Sequence, residues 1–402
     1  MNRKTRRPFI LESALLIGLL FTLGAARPAA PGSGSPSQTS PSAVTPSETS
    51  SRGGLRFFQG QPSSLTKTEE QRSEIRVAGL ARSFKRFDAI HAAAKKGDLS
   101  SIALMGNFYY WQLVKPNLAD PIEQEQQGFV EAAKWFKQAA GKGHAESQYN
   151  LGRQYYHGDG VKQNFAEAAK WFRKAAEQYV AEAQNKLGFM NNAGLGMRQN
   201  YAGAFKWYKL AAGQGHLQAQ YGLGQLFYEG HGVPKDHAEA VKWFSRSAAQ
   251  GFAEAQLMMG ICTQQGDGAL KDLEEAIKWL RKAAEQGQVR AQAALGDCYH
   301  QGEGVAQDAQ QAITWYSKAA DQGDGPAQFK LGNYFAEGKG APANLVEAFK
   351  WLALAANNEQ KEAAAARDLL QKQMTPEQIA KAKQLVADFG KAPAEAENTA
   401  KP

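Results

Sequence analysis

Seven tryptophans, Trp135, Trp171, Trp207, Trp243, Trp279, Trp315 and Trp351, each follow the last by 36 residues in a chain of 402. Two further markers keep the same step. One is the pair Leu151-Gly152, which returns as Leu187-Gly188, Leu223-Gly224, Met259-Gly260, Leu295-Gly296 and Leu331-Gly332. The other is a Gly-x-Gly triplet, first at Gly158/Gly160 and last at Gly338/Gly340. A fixed period of this length marks a stacked array in which each unit touches only its neighbours.

The unit reads as two helices. Ser147, Leu151 and Tyr155 fall at i, i+4 and i+8, one face of a helix over Ala145–His157. Gly152 lies beside that face, where a missing side chain admits a neighbouring helix. Gly158-Asp159-Gly160 ends the helix, because glycine tolerates the positive φ of a C-terminal cap. The second helix is predicted from about Asn164 to Gln178, with Asn164 as N-cap and Glu167 placed as in a capping box. Its buried face is expected to be Ala168, Trp171, Phe172 and Ala175, so the seven tryptophans are predicted as the structural core of the repeats. Small residues opposite one large ring predict a close antiparallel contact.

The pattern Ala-x-x-x-Leu-Gly-x-x-Tyr-x-x-Gly-x-Gly-Val, then Ala-x-x-Trp-Phe/Tyr-x-x-Ala-Ala-x-x-Gly, resembles the Sel1-like repeat, a relative of the tetratricopeptide repeat. The match is cleanest at Leu151, Gly152, Tyr155, Gly158, Gly160, Val161, Ala168, Trp171, Ala175 and Ala176, and spans about residues 98–359. It implies an all-α fold: a right-handed α/α superhelix of about seven helix-turn-helix repeats with a capping helix at each end. Asn191 and Thr263 replace an expected aromatic, and Tyr179 replaces an inter-repeat glycine. The first unit carries ten extra residues around Lys115 to Glu125, where irregular structure is expected. Residues 71–97 are predicted as an N-terminal cap and 360–390 as C-terminal capping helices. Thr375-Pro376-Glu377-Gln378 supplies an N-cap, Pro at N1 and a capping-box Gln.

The N-terminus reads as an address. Arg3, Lys4, Arg6 and Arg7 precede the apolar run Ala14 to Leu23 and the small residues Gly24, Ala25 and Ala26. Basic, apolar, then small is the order of a secretory signal peptide, assigned to residues 1–26. Thr5-Arg6-Arg7-Pro8-Phe9-Ile10 also resembles a twin-arginine export motif, so the choice between the two bacterial routes stays open. The expected location is periplasmic or secreted, with membrane contact only through an uncleaved N-terminal segment. Residues 27–70, rich in Pro, Ser and Gly, cannot bury enough surface to offset ordering and are read as a disordered linker; 391–402 are read as a disordered tail.

Charge separates the two halves of the argument. Residues 1–96 carry a net +9 and residues 97–402 a net −1. A nearly neutral repeat body lacks the basic stripe that phosphate binding demands, which excludes nucleic acid as the expected partner.

No catalytic set, cofactor site or metal site is predicted. Cys262 and Cys298 are 36 apart and therefore occupy equivalent sites on neighbouring units, farther apart than a disulfide permits; two free, buried thiols are expected. No histidine pair sits at ligand spacing, and the Gly-x-Gly triplets lack the Lys-Ser/Thr of a phosphate loop. The chain is read as a non-enzymatic scaffold that binds a peptide or protein in the concave groove lined by the first helices. The candidate contacts are Tyr149, Arg153, Tyr156, Phe189, Tyr221, Gln225, Tyr228 and Ile261, which vary between units while core positions do not. The competing reading of these positions is that about half fill gaps between helices. The alternative function, implied by the resemblance, is binding or hydrolysis of cell-wall material (peptidoglycan or a β-lactam), which would need a convergent polar site in one unit.

Overall fold

The computed structural model describes residues 87–111, 121–358 and 360–389. The predicted signal peptide, the linker and the C-terminal tail lie outside these residues, as do the first part of the N-terminal cap and most of the ten-residue insertion. Seventeen helices and no strand occur among the described residues. Residues 87–95 form α1. Seven helix pairs follow: α2 (Leu99–Tyr110) with α3 (Pro121–Gly141), α4 (Ala145–His157) with α5 (Phe165–Glu177), and α6 (Ala181–Ala193) with α7 (Tyr201–Gly213). Next are α8 (Leu217–Glu229) with α9 (His237–Ala249), α10 (Ala253–Gln265) with α11 (Leu273–Glu285), α12 (Val289–Gln301) with α13 (Ala309–Asp321), and α14 (Gly325–Glu337) with α15 (Leu345–Asn357). Two further helices, α16 (Lys361–Gln371) and α17 (Pro376–Asp388), close the array. Each helix packs on its partner and on the next pair, and first helices also meet directly, α2 with α4 and α6 with α8.

Local chemistry sets the helix ends. The six first helices from α4 to α14 stop at a glycine in the left-handed region, whereas α2 stops at Trp111; the Gly158 N–H donates to the Gln154 carbonyl at 2.7 Å. Second helices start on Asn164, Asn200, Asp236, Asp272, Asp308 and Asn344, whose side chains accept the backbone N–H three residues on at 2.9–3.1 Å. The Glu167 carboxylate does not complete a capping box but holds Lys170 at 2.5 Å. Thr375 and Gln378 do form the reciprocal box.

The two repeated glycines of each unit do different work. A Cβ on Gly152 would meet the Phe172 ring at 2.7 Å, and one on Gly224 the Phe244 ring at 2.6 Å. This contact sets how closely the paired helices approach. The second glycine of each triplet is not merely a helix stop. Gly160, Gly196, Gly232, Gly268, Gly304 and Gly340 have φ near +70° and lie against the preceding unit's second helix, at its first residue or two for the last five and at Phe129 and Val130 within the longer α3 for Gly160. A Cβ there would strike backbone, for Gly196 that of Phe165.

The tryptophans lie at the seams rather than at the centre. The buried centre of each pair is the next residue: Phe136, Phe172, Tyr208, Phe244, Leu280, Tyr316 or Leu352. Trp171 packs across the joint, against a cluster of Ala132, Phe136 and Ala140 from α3 and Leu151 from α4. Five of the seven indoles are half-buried; Trp315 and Trp351 are buried. Trp171, Trp243, Trp279 and Trp315 each carry a cation one turn on (Lys174, Arg246, Lys282, Lys318) at 4.0–4.3 Å from the ring centroid.

A polar ladder crosses every joint. Gln148 Nε2 donates to the Ala140 carbonyl at 3.2 Å, and its Oε1 accepts from Gln178 Nε2 at 2.8 Å. Buried Gln184, Gln220, Gln256, Gln292 and Gln328 repeat both bonds, the last accepting from Asn358. Each carboxamide thus ties three consecutive helices at one end, which also fixes the paired helices as antiparallel. Replacing Gln220 with leucine deprives the Ala212 carbonyl and the Gln250 amide of a buried partner. A loss of about 1–3 kcal/mol is expected in urea unfolding of the full chain; an unchanged midpoint would show that the ladder contributes nothing.

The ends are covered. α1 contributes Ala94 to a cluster with Ile102, Ala103 and Met105 of α2, and Phe87 packs edge-on to Phe108 at 5.8 Å. At the other end Phe389 meets Trp351 at 5.7 Å, and α15, α16 and α17 share one cluster. The insertion departs from the expected irregularity over its last part, since helix begins at Pro121 and makes α3 21 residues long instead of 13. Proline at the first helical position suits this start.

Candidate functional site

The first helices present the side chains singled out for binding, and the structure divides them into three groups. Tyr149, Arg153 and Tyr156, all on α4, join Tyr110 and Trp111 at the end of α2. The Arg153 guanidinium sits 5.1 Å from the Tyr110 ring centroid, 5.7 Å from Trp111 and 5.8 Å from Tyr149. Lys186 of α6 reaches over Tyr156 at 5.7 Å. Phe189, one turn along α6, is 42% exposed and Trp111 47% exposed. A large aromatic left open on a folded surface is a feature of contact sites.

Tyr221 and Gln225 form a second group, bonded to each other at 3.0 Å, with the Tyr221 ring between Phe244 and Phe252 at 5.7 and 5.4 Å. Tyr228 and Ile261 are engaged in packing. Tyr228 stacks on His237 at 4.5 Å and donates to Asp267 at 3.3 Å. Ile261 packs against the cluster around Leu280 and Leu295.

Sequence reasoning missed Lys186, Trp111 and Tyr110. Lys186 lies directly before the repeated Leu187, outside the spacing used to choose candidates. Trp111 is the one tryptophan off the 36-residue period, which was itself the signal.

The electrostatics of the patch follow from its partial burial. Burial raises the Tyr149 hydroxyl above its ordinary value, opposed by Arg153 and reinforced by Glu182. Burial lowers the Lys186 ammonium, and the Arg153 charge lowers it further. Toward the other end of the array the same face is neutralised. Lys330 of α14 pairs with Asp297 of α12, and Tyr316 donates to that carboxylate at 2.6 Å. Cys262 and Cys298 are buried and free, and burial pushes both thiols up to about 11. Among the described residues no three His, Cys, Asp or Glu side chains gather as a metal site, and no helix is long and apolar enough to cross a membrane.

Stacked helix pairs held by a glutamine ladder and glycine contacts define an α-solenoid, a fold that offers one long face of first helices to other molecules. Sel1 repeats match residues 125–144, 145–180, 181–216, 217–252, 253–288, 289–324 and 325–359, and the chain belongs to the Sel1 repeat family. The first match takes in only part of α3, because the lengthened first unit breaks the period. Members of this family generally mediate protein–protein interaction and are typically non-enzymatic scaffolds.

A Sel1 repeat protein from Oxalobacter formigenes is 32% identical and aligns with 63% of this chain and 96% of its own, with a TM-score of 0.56. A protective antigen of uropathogenic Escherichia coli with an SLR fold is 25% identical over 75% of this chain and 86% of its own, with a TM-score of 0.43. No curated protein matches the chain significantly.

Proposed function

We propose that the chain is an exported, non-enzymatic adaptor that holds a protein or peptide partner against its first helices. The observation that carries this reading is the patch across α2, α4 and α6. Trp111 and Phe189 are open there, and Arg153 is stacked among three rings and makes no ion pair among the described residues. Core positions repeat from unit to unit, whereas the residues facing outward from the first helices change, which suits a surface shaped for one partner. The basic, apolar and small segments at the N-terminus support export to the periplasm or beyond.

Affinity capture from a bacterial envelope extract tests the surface. The full chain serves as bait beside a Trp111→Ser/Phe189→Ser variant with an unchanged circular-dichroism spectrum. The variant is expected to lose most of the captured partner. Capture at the level of the parent chain removes this face from the proposal.

A further inference from the structure

Arg153 and Lys186 apart, the half-buried lysines and arginines among the described residues are compensated. Lys330 pairs across first helices with Asp297, Lys350 with Glu347 and Arg367 with Asp368. Among the described residues Arg153 and Lys186 have no such partner, although both are half-buried. They lie over aromatic faces instead: Tyr110, Trp111 and Tyr149 for Arg153, and Tyr156 for Lys186.

Among the described residues the neighbouring carboxylates form no ion pair with either cation. Asp159 accepts the Tyr110 hydroxyl at 3.3 Å. Glu182, one turn before Lys186 on α6, is exposed and makes no ion pair with it. Two like charges drawn together out of water, without a paired anion, destabilise the free chain; an arriving anion would recover that free energy. The lowered ammonium of Lys186 agrees with this geometry.

We propose that this patch binds a carboxylate-bearing peptide, with Arg153 and Lys186 as its two cationic contacts and Trp111 and Phe189 receiving the apolar residues beside the carboxylate. The inference rests on the reading of this face as the partner surface and adds the partner's chemistry. A planar guanidinium suits bidentate recognition of a carboxylate. A bare inorganic anion would make no use of two open aromatic rings on either side, and two cations on a body of net charge −1 are too few for nucleic acid.

Calorimetric titration of the full chain decides the matter. The probe is an N-acetylated, C-amidated hexapeptide alternating Asp with Leu and Phe. The controls are its Asn counterpart and that counterpart with a free C-terminal carboxylate. The Asp peptide is expected to bind at least about tenfold more tightly than the blocked Asn peptide, a difference of about 1.4 kcal/mol. Arg153→Gln and Lys186→Gln should each weaken it by about five- to tenfold. Recovery by the free C-terminus would place the recognised carboxylate at a chain end, and no recovery would place it on side chains. Equal binding of Asp and Asn peptides, binding by the Gln variants as tight as the parent's, absence of binding by every probe, or full competition by inorganic phosphate would each overturn the proposal.

The thermal midpoint of the free chain gives a second readout. Relieving an uncompensated cation in Lys186→Gln should raise it by about 2 °C, whereas a fall would mark a structural lysine and count against the site. Extract capture separates the two proposals. Capture lost in Trp111→Ser/Phe189→Ser but intact in Arg153→Gln/Lys186→Gln sinks the carboxylate chemistry alone. Capture intact in both sinks the surface as well.

Discussion

Gly196→Ala is expected to lose about 3 kcal/mol or more of stability, while Gly194→Ala, two residues away, loses about 1–2 kcal/mol. Both positions have φ near +70°, so both variants carry the left-handed strain of a Cβ. They differ in what the Cβ meets. At Gly194 the nearest atom is the Gln199 N at 3.2 Å, a local neighbour within one loop that can shift. At Gly196 the Cβ would fall inside the backbone of Phe165 and Ala166, the first turn of α5 in the preceding unit. Helix backbone cannot yield by a side-chain rotation, so the joint between the second and third pairs must open. Urea unfolding of the full chain measures the difference. Hydrogen exchange should show the loss of protection centred on α5 to α7 and fading along the array, because each unit is stabilised only by its neighbours. Equal losses for the two variants would show that left-handed strain alone governs these triplets.

That contrast also shows where sequence reading reached and where it stopped. Periodicity located the hairpins closely: α4 spans Ala145–His157 as expected, Asn164 is the N-cap of α5, and Thr375 opens α17 with a full capping box. These features are local, fixed by residues within four positions of one another. The second glycine's role is not local. Its contact lies 31 residues back, and nothing in a loop sequence reveals that another unit's backbone lies against it. The glutamine ladder shares the 36-residue period but was passed over, because a repeated polar residue reads as solvated unless its partners are known. For the binding face, spacing from Leu151 identified Arg153 and its flanking tyrosines. The rings that surround Arg153 come partly from α2, in the one unit whose period is broken, and Lys186 comes from the next first helix. A site assembled across three helices is legible only once the stacking register is known.

Phe244→Ala is expected to be the more damaging of two neighbouring truncations, at about 3–5 kcal/mol, with Trp243→Ala near 2 kcal/mol. Residue size alone would predict the reverse order. Phe244 is fully buried, lies on the bare backbone of Gly224, and has the rings of Tyr221 and Tyr228 at 5.7 and 6.3 Å. Removing it leaves a cavity walled by two helices that the glutamine ladder holds in place, so collapse is restricted. Trp243 is half-buried, keeps one face under the Arg246 guanidinium at 4.3 Å, and its buried Nε1 has no hydrogen-bond partner among the described residues. Truncating it removes seam contacts but also removes that unsatisfied donor. The array supplies its own control, since Leu280 and Leu352 occupy the Phe244 position in other units and lie over Gly260 and Gly332 in the same way. Phe244→Leu should therefore cost less than about 1.5 kcal/mol. Thermal and urea midpoints of the three variants order them directly. If Trp243→Ala proves the worst, the indoles are the centre of each pair after all, and the glycine contact is only a consequence of their packing.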